Sequence, residues 1–171
     1  MNKNTKIVAI TAAVLVIAVA ALAWLNQKNI AERIAALEND TFLVTVGGSQ
    51  YTVTRDVLEI GPRSIEANYK TNLMPAEKRT YTGVSLKSVL NSLGVDYSGA
   101  GNVRFSAADG YVSGVSLADA LNEENCFIVF EEDGKPLGTR ETRGLGPYMV
   151  IFAKDRFSLR WCKYLLEITI S

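Results

Sequence analysis

The chain has 171 residues, with 18 Lys+Arg balanced by 18 Asp+Glu, two cysteines and no histidine. Zero net charge removes the electrostatic footprint of a nucleic-acid-binding protein. The missing histidine excludes His-ligated zinc or haem, Ser-His and Cys-His nucleophile pairs, and the commonest acid–base group near neutral pH.

Lys3 and Lys6 precede Ile7–Leu25, a run without one charged residue. As a helix this run rises about 28 Å, enough to span a bilayer core. Lysines before it and Trp24 at its far end fit a cytoplasmic N-terminus, an interfacial anchor and a domain outside the cytoplasm. A cleaved signal peptide with Ala21-Leu22-Ala23 as its cleavage site is the competing reading, although the run is long for one. Residues 1–25 are therefore expected to be a membrane anchor or signal peptide. Asn26–Asn39 lacks Gly and Pro, and Ile30, Ile34 and Leu37 share one helical face, so residues 26–40 are expected to form a stalk. The stripe is too short for a coiled coil. Residues 41–171, about 130 in all, are the size of one domain with its own core.

Within that domain, Thr41–Val46 and Gln50–Thr54 alternate around Gly47-Gly48-Ser49, the pattern of a β-hairpin. Thr54 is placed to cap a short helix over Arg55–Glu59, which Gly61-Pro62 ends. Ser64–Tyr69 reads as a strand and Lys70–Arg79 as a loop. Ser85, Val84 with Val89, and Gly94 mark cap, staple and stop of a helix over Leu86–Leu93, with Leu86, Val89, Leu90 and Leu93 as its buried face. Val103–Ala107 and Val112–Val115 flank an Asp109-Gly110 turn. Ser116 caps a helix through Leu121, and Cys126–Glu131 leads into an Asp133-Gly134 hairpin. Tyr148–Ala153 reads as a buried strand and Trp161–Ile170 as a longer closing strand. The sum is α+β, with a mixed, mostly antiparallel sheet forming a β-sandwich or partial barrel that carries short helices.

Between the last two strands lie Lys154, Arg156, Arg160 and Lys163, approached through the glycine-rich Arg143–Gly146. Backbone N–H groups and point charges in such a segment suit an anionic ligand. A solvated loop covering the sheet edge explains the same residues. Cys126 and Cys162 lie far apart with no Cys-x-x-Cys, so a metal site or thioredoxin motif is unsupported. They read either as a disulfide in an exported chain or as small buried hydrophobes. Asp109 beside Tyr111 is the one acid–base pair that stands out, although the Asp-Gly turn explains Asp109 by geometry. Glu131, Glu132 and Asp133 form an acidic hairpin tip that suits a weak cation site or, more simply, a solvated turn.

The stretches YTGVSLKSVLNSLGV (81–95), VRFSAADGY (103–111), FIVFEEDGKPLG (127–138) and GPYMVIFAKDRFSLRWCKYLLEI (146–168) occur in this order. Together they resemble the molybdopterin-binding domain of sulfite-oxidase-type oxidoreductases. The resemblance implies a cleft that holds the pyranopterin phosphate and dithiolene of molybdopterin. It assigns cofactor binding to Arg160 and Lys163, with Arg143 and Gly146 on the loop opposite. Active members of that family carry a molybdenum-ligating Cys on the strand before the W/Y-x-G-V helix. Here that strand is Ser64–Tyr69, and the position falls at or near Ala67, whose methyl group cannot replace a thiolate. The resemblance thus implies the fold but assigns this chain no metal ligand and no catalytic residue. Two functions follow as expectations: an anchored oxidoreductase-like domain that binds molybdopterin, or a non-catalytic module that binds an anionic small ligand or a partner protein.

Overall fold

The computed structural model describes residues 10–24, 27, 35, 39–70 and 75–171. The chain divides into two compact units, Met1–Ala35 and Ala36–Ser171. In the first, residues 10–24 are helical with exposed side chains. No helix among the described residues is long and apolar enough to cross a membrane. The expected span was Ile7–Leu25, and its residues 7–9 and 25 lie outside the described residues, as does the stalk stripe of Ile30, Ile34 and Leu37.

The described residues of the second unit form ten strands. They are β1 (Phe42–Val46), β2 (Ser49–Val53), β3 (Arg63–Tyr69), β4 (Glu77–Ser85), β5 (Asn102–Ala107), β6 (Val112–Ser116), β7 (Cys126–Glu132), β8 (Lys135–Pro136), β9 (Met149–Phe152) and β10 (Leu165–Ile170). Three short helices interrupt them: α1 (Arg55–Leu58), α2 (Leu86–Leu93) and α3 (Leu117–Ala120), with a 3₁₀ turn at Ser158–Arg160. One sheet runs β2-β1-β10-β5-β6 and the other β3-β4-β7-β8, with β9 also paired to β7. β1 and β10 pair in parallel, and every other named strand pair is antiparallel. The two sheets remain separate layers, so of the two expected arrangements the chain takes the sandwich and not the partial barrel.

The layers meet in one core. Alternation in β1 turns Phe42, Val44 and Val46 inward. The unbroken apolar runs of β7 and β9 are buried throughout, as strands covered on both faces must be. Phe105 of β5 meets Phe152 of β9 edge-on at 6.0 Å, and Phe42 meets Tyr148 at 5.2 Å. These contacts join the two sheets through rings with preferred edge geometry.

Local signals act as their chemistry requires. The Ser85 hydroxyl accepts from the Ser88 amide at 3.1 Å, and Gly94 ends α2 in the left-handed region at φ 63°. Leu86, Val89 and Leu90 are buried, while Leu93 is only partly so. Ser116 caps α3 through the Asp119 amide at 3.1 Å. Thr54 stands at the cap position of α1, but its side chain makes no capping bond, which corrects that expectation.

The closing strand is also shorter than expected. Cys162 pairs with Val150 of β9 in an isolated bridge, whereas Leu165 pairs with Ala107 of β5 in the other sheet. The chain crosses between layers at Lys163-Tyr164, and Tyr164 makes the turn with φ 51°. A single strand over Trp161–Ile170 cannot serve two sheets, so β10 begins at Leu165.

Candidate functional site

That crossing positions the most promising surface feature. Asp109, Tyr111, Ser158, Leu159, Trp161 and Lys163 line a hollow of ≈ 250 Å³. Trp161 is 3% exposed and packs beside Tyr69 and Tyr81, with ring centroids at 5.9 and 5.7 Å. The Lys163 ammonium donates to the Tyr69 hydroxyl at 2.6 Å and lies 4.9 Å from that ring's centre. On the same ring, the Arg79 guanidinium sits 4.3 Å from the centre. Arg79 is already neutralised by Glu77 and Glu132, each at 2.6 Å. Burial alone would lower its pKa, and the bonds to the two carboxylates more than offset this, holding it above its ordinary value. Lys163 forms no ion pair with any described residue.

The other polar groups around the hollow have their hydrogens committed. The Tyr111 hydroxyl donates to the Leu159 carbonyl, and the Ser158 hydroxyl to the Lys70 carbonyl at 2.6 Å. Asp109 Oδ1 accepts from the Tyr111 amide at 3.0 Å, the geometry of an Asp turn. Both hydroxyl oxygens and the carboxylate retain lone pairs. The hollow therefore combines one cation with free donors, several acceptors and apolar surface from Leu159 and Trp161.

Among the four positions expected to bind a cofactor, only Lys163 lines this hollow. Arg160 is held by Asp155 through two bonds of 2.7 and 2.8 Å, reaches Asp119 at 3.3 Å and covers the Phe152 ring at 4.3 Å. The Asp155 bond keeps its pKa above the ordinary value. Arg143 is exposed, in the left-handed region at φ 59°. Gly146 is buried, and a Cβ there would stand 2.8 Å from Leu137 Cβ and 2.9 Å from the Tyr148 amide nitrogen. The amides of Gly144, Leu145 and Gly146 bond to Thr139, Leu137 and Gly138 carbonyls at 2.7–2.9 Å. The glycine-rich loop thus closes on itself and packs on Tyr164, whose hydroxyl reaches the Gly144 carbonyl at 2.7 Å.

Asp109 and Tyr111 do meet at the hollow. Tyr69, Ser158, Leu159 and Trp161 were not singled out as site residues from sequence. Inward alternation along β3 marks Tyr69, and an isolated tryptophan between two cations marks Trp161. The acidic hairpin tip is engaged elsewhere: Glu131 pairs with Arg55 at 3.5 Å, Glu132 with Arg79, and Asp133 Oδ1 accepts from the Thr80 amide at 3.2 Å. Ala67 is 3% exposed, two residues before Tyr69 on the inner face of β3, and pairs with Arg79 in register. Cys126 and Cys162 are free and buried; burial pushes the Cys162 thiol up to about 12 and the Cys126 thiol higher still.

A family model described as the oxidoreductase molybdopterin binding domain matches residues 38–171. The chain belongs to this family. Among solved structures, this family member resembles the sulfane dehydrogenase SoxCD from Paracoccus pantotrophus, with a TM-score of 0.62 and 13% identity. The match covers 76% of this chain and 37% of that one, so this chain spans well under half of the SoxCD chain. At that identity the likeness concerns the fold. No curated protein matches.

Family membership makes molybdopterin a candidate ligand. Its fit can be judged on the donors present. The resemblance implies a thiolate as the molybdenum ligand, and neither of the two buried thiols, Cys126 and Cys162, lines the hollow. A phosphate dianion offers only acceptors, and the hollow meets it with a single ammonium among groups that are themselves acceptors. The donor set at this hollow fits neither the metal nor the phosphate.

Proposed function

We propose that this member of the molybdopterin-binding domain family is a small-ligand-binding module without redox turnover of its own. One observation carries the reading: Lys163 is partly buried beside a hollow with aromatic walls, its ammonium bonded to Tyr69 and paired with no carboxylate among the described residues. A cation so placed favours a ligand carrying negative charge. The absence of a cysteine on β3, with Ala67 at the expected position, supports loss of the metal ligand.

The test is to purify the full chain from a host competent for molybdenum-cofactor synthesis. Bound metal and pterin are then measured, alongside thermal shifts with a panel of small anions. The reading requires substoichiometric molybdenum, and a stabilising anion that Lys163→Glu no longer recognises in a folded protein. Stoichiometric molybdenum with dye-coupled turnover, lost in Cys126→Ser or Cys162→Ser, would establish the oxidoreductase instead.

We also propose that the N-terminal segment anchors the domain at a membrane, outside the cytoplasm. The uncharged run after Lys3 and Lys6 supports this. Protease added to intact cells should then degrade the domain, and recovery of an intact soluble cytosolic protein would refute the placement.

A further inference from the structure

We infer that the ligand of the hollow is a zwitterionic α-amino acid with an apolar side chain. This rests on reading the hollow as a ligand site and names what the site takes. Among the described residues, Lys163 is the only lining side chain with a positive charge, and Asp109 the only one with a negative charge. They line the same hollow and form no ion pair with each other, so a molecule that carries both charges can address each of them. An α-carboxylate accepts from the Lys163 ammonium, two of whose three hydrogens are free of Tyr69. An α-ammonium needs acceptors, and the Asp109 carboxylate, Ser158 hydroxyl and Tyr111 hydroxyl supply them because their own hydrogens are absent or committed.

Leu159 and Tyr111 are 62% and 40% exposed at the rim, with Trp161 beneath. Apolar side chains this exposed suit a hydrocarbon group that covers them. Size argues the same way. At ≈ 250 Å³ the hollow lies just below the range of roughly 300–1,000 Å³ typical of drug-sized ligands. A dianion fails on charge, because one cation would face two negative charges with Asp109 adjacent. A simple fatty acid would leave Asp109 and both hydroxyl acceptors without a donor.

The experiment uses the full chain labelled with ¹⁵N at its two tryptophan indoles. A Trp24→Phe variant identifies the Trp161 signal. L-leucine and L-phenylalanine are titrated, followed by leucine methyl ester, N-acetyl-leucine and inorganic phosphate. L-leucine or L-phenylalanine should move the Trp161 signal saturably. Methyl ester and N-acetyl forms should bind at least tenfold more weakly. Lys163→Met should weaken binding of the free amino acid tenfold or more, as should Asp109→Asn, which can keep the turn. If N-acetyl-leucine or phosphate binds as tightly as L-leucine, the zwitterion assignment is wrong while the hollow remains an anion site. If no probe moves the Trp161 signal and the anion panel also fails, both the assignment and the site reading fall.

Discussion

The Lys163 ammonium donates a 2.6 Å hydrogen bond to the Tyr69 hydroxyl, across 94 residues of sequence. It ties the crossing between the sheets to the last residue of β3. Tyr69→Phe keeps the ring that Arg79 and Lys163 both approach but removes the acceptor. A hydrogen bond to a partly solvated group contributes about 1 kcal/mol net, so a loss of that size is expected in urea unfolding with an unchanged m-value. A loss several times larger would mean that the pair anchors the crossing itself.

Gly83 lies where β4 pairs with Val129 of β7, at the register shift between Thr82 and Gly83. A Cβ at this position would sit against the Ile128 carbonyl, 2.7 Å from Val129 Cα and 2.8 Å from Val129 Cγ1. Two of these atoms are backbone and cannot swing aside. Gly83→Ala should therefore destabilise by about 1–3 kcal/mol or more, as overpacking does. An unchanged thermal midpoint would show that the two strands separate freely here.

Leu90 is fully buried on the inner face of α2. Leu90→Ala removes its contacts and leaves a cavity, at an expected cost of roughly 2–5 kcal/mol. Calorimetry should show a lower midpoint with cooperative unfolding retained. An unaltered midpoint would contradict the burial of this face.

Alkaline pH should weaken the fold. Burial raises the thiols of Cys126 and Cys162 above 9.0 and the phenols of Tyr81 and Tyr148 above 10.0, with Cys162 and Tyr148 each reaching about 12. The unfolded chain releases these protons first, so it binds fewer than the native state above about pH 9. The stability from these groups is present in full below pH 9 and declines as pH rises toward 12, by about 1.4 kcal/mol per pH unit for each proton of difference. Urea midpoints at pH 7, 9, 10 and 11 measure this. A flat profile would place these groups in contact with water.

The site was less legible in sequence than the elements that carry it. The cations expected at the site suggest one anion-binding segment, yet Arg160, Arg143 and Lys163 are each used differently. Arg160 is neutralised by Asp155 and Asp119, and Arg143 stands exposed on a loop whose neighbouring amides bond to that loop. Lys163 alone reaches the hollow. Charge counts along a chain do not reveal which acid will meet which base, because that depends on side chains brought together by the fold. Asp109 and Tyr111 were visible because the Asp-Gly turn is a local device that fixes both residues at the end of β5.

Sequence alone determined what depends on near neighbours. Ser85 and Gly94 bound α2, Asp133-Gly134 makes the hairpin, and alternation turns Phe42, Val44 and Val46 inward, all through interactions within a few residues. The ordered motifs also pointed to the family that the match over residues 38–171 establishes. Tertiary structure alone decided that the closing segment serves both sheets. Cys162 takes its partner from β9 and Leu165 from β5, and only packing of the two layers forces Tyr164 into a left-handed turn between them. That turn brings Lys163 to Tyr69 and opens the hollow beside Trp161. No periodicity encodes it, because its cause is the placement of strands far apart in the chain.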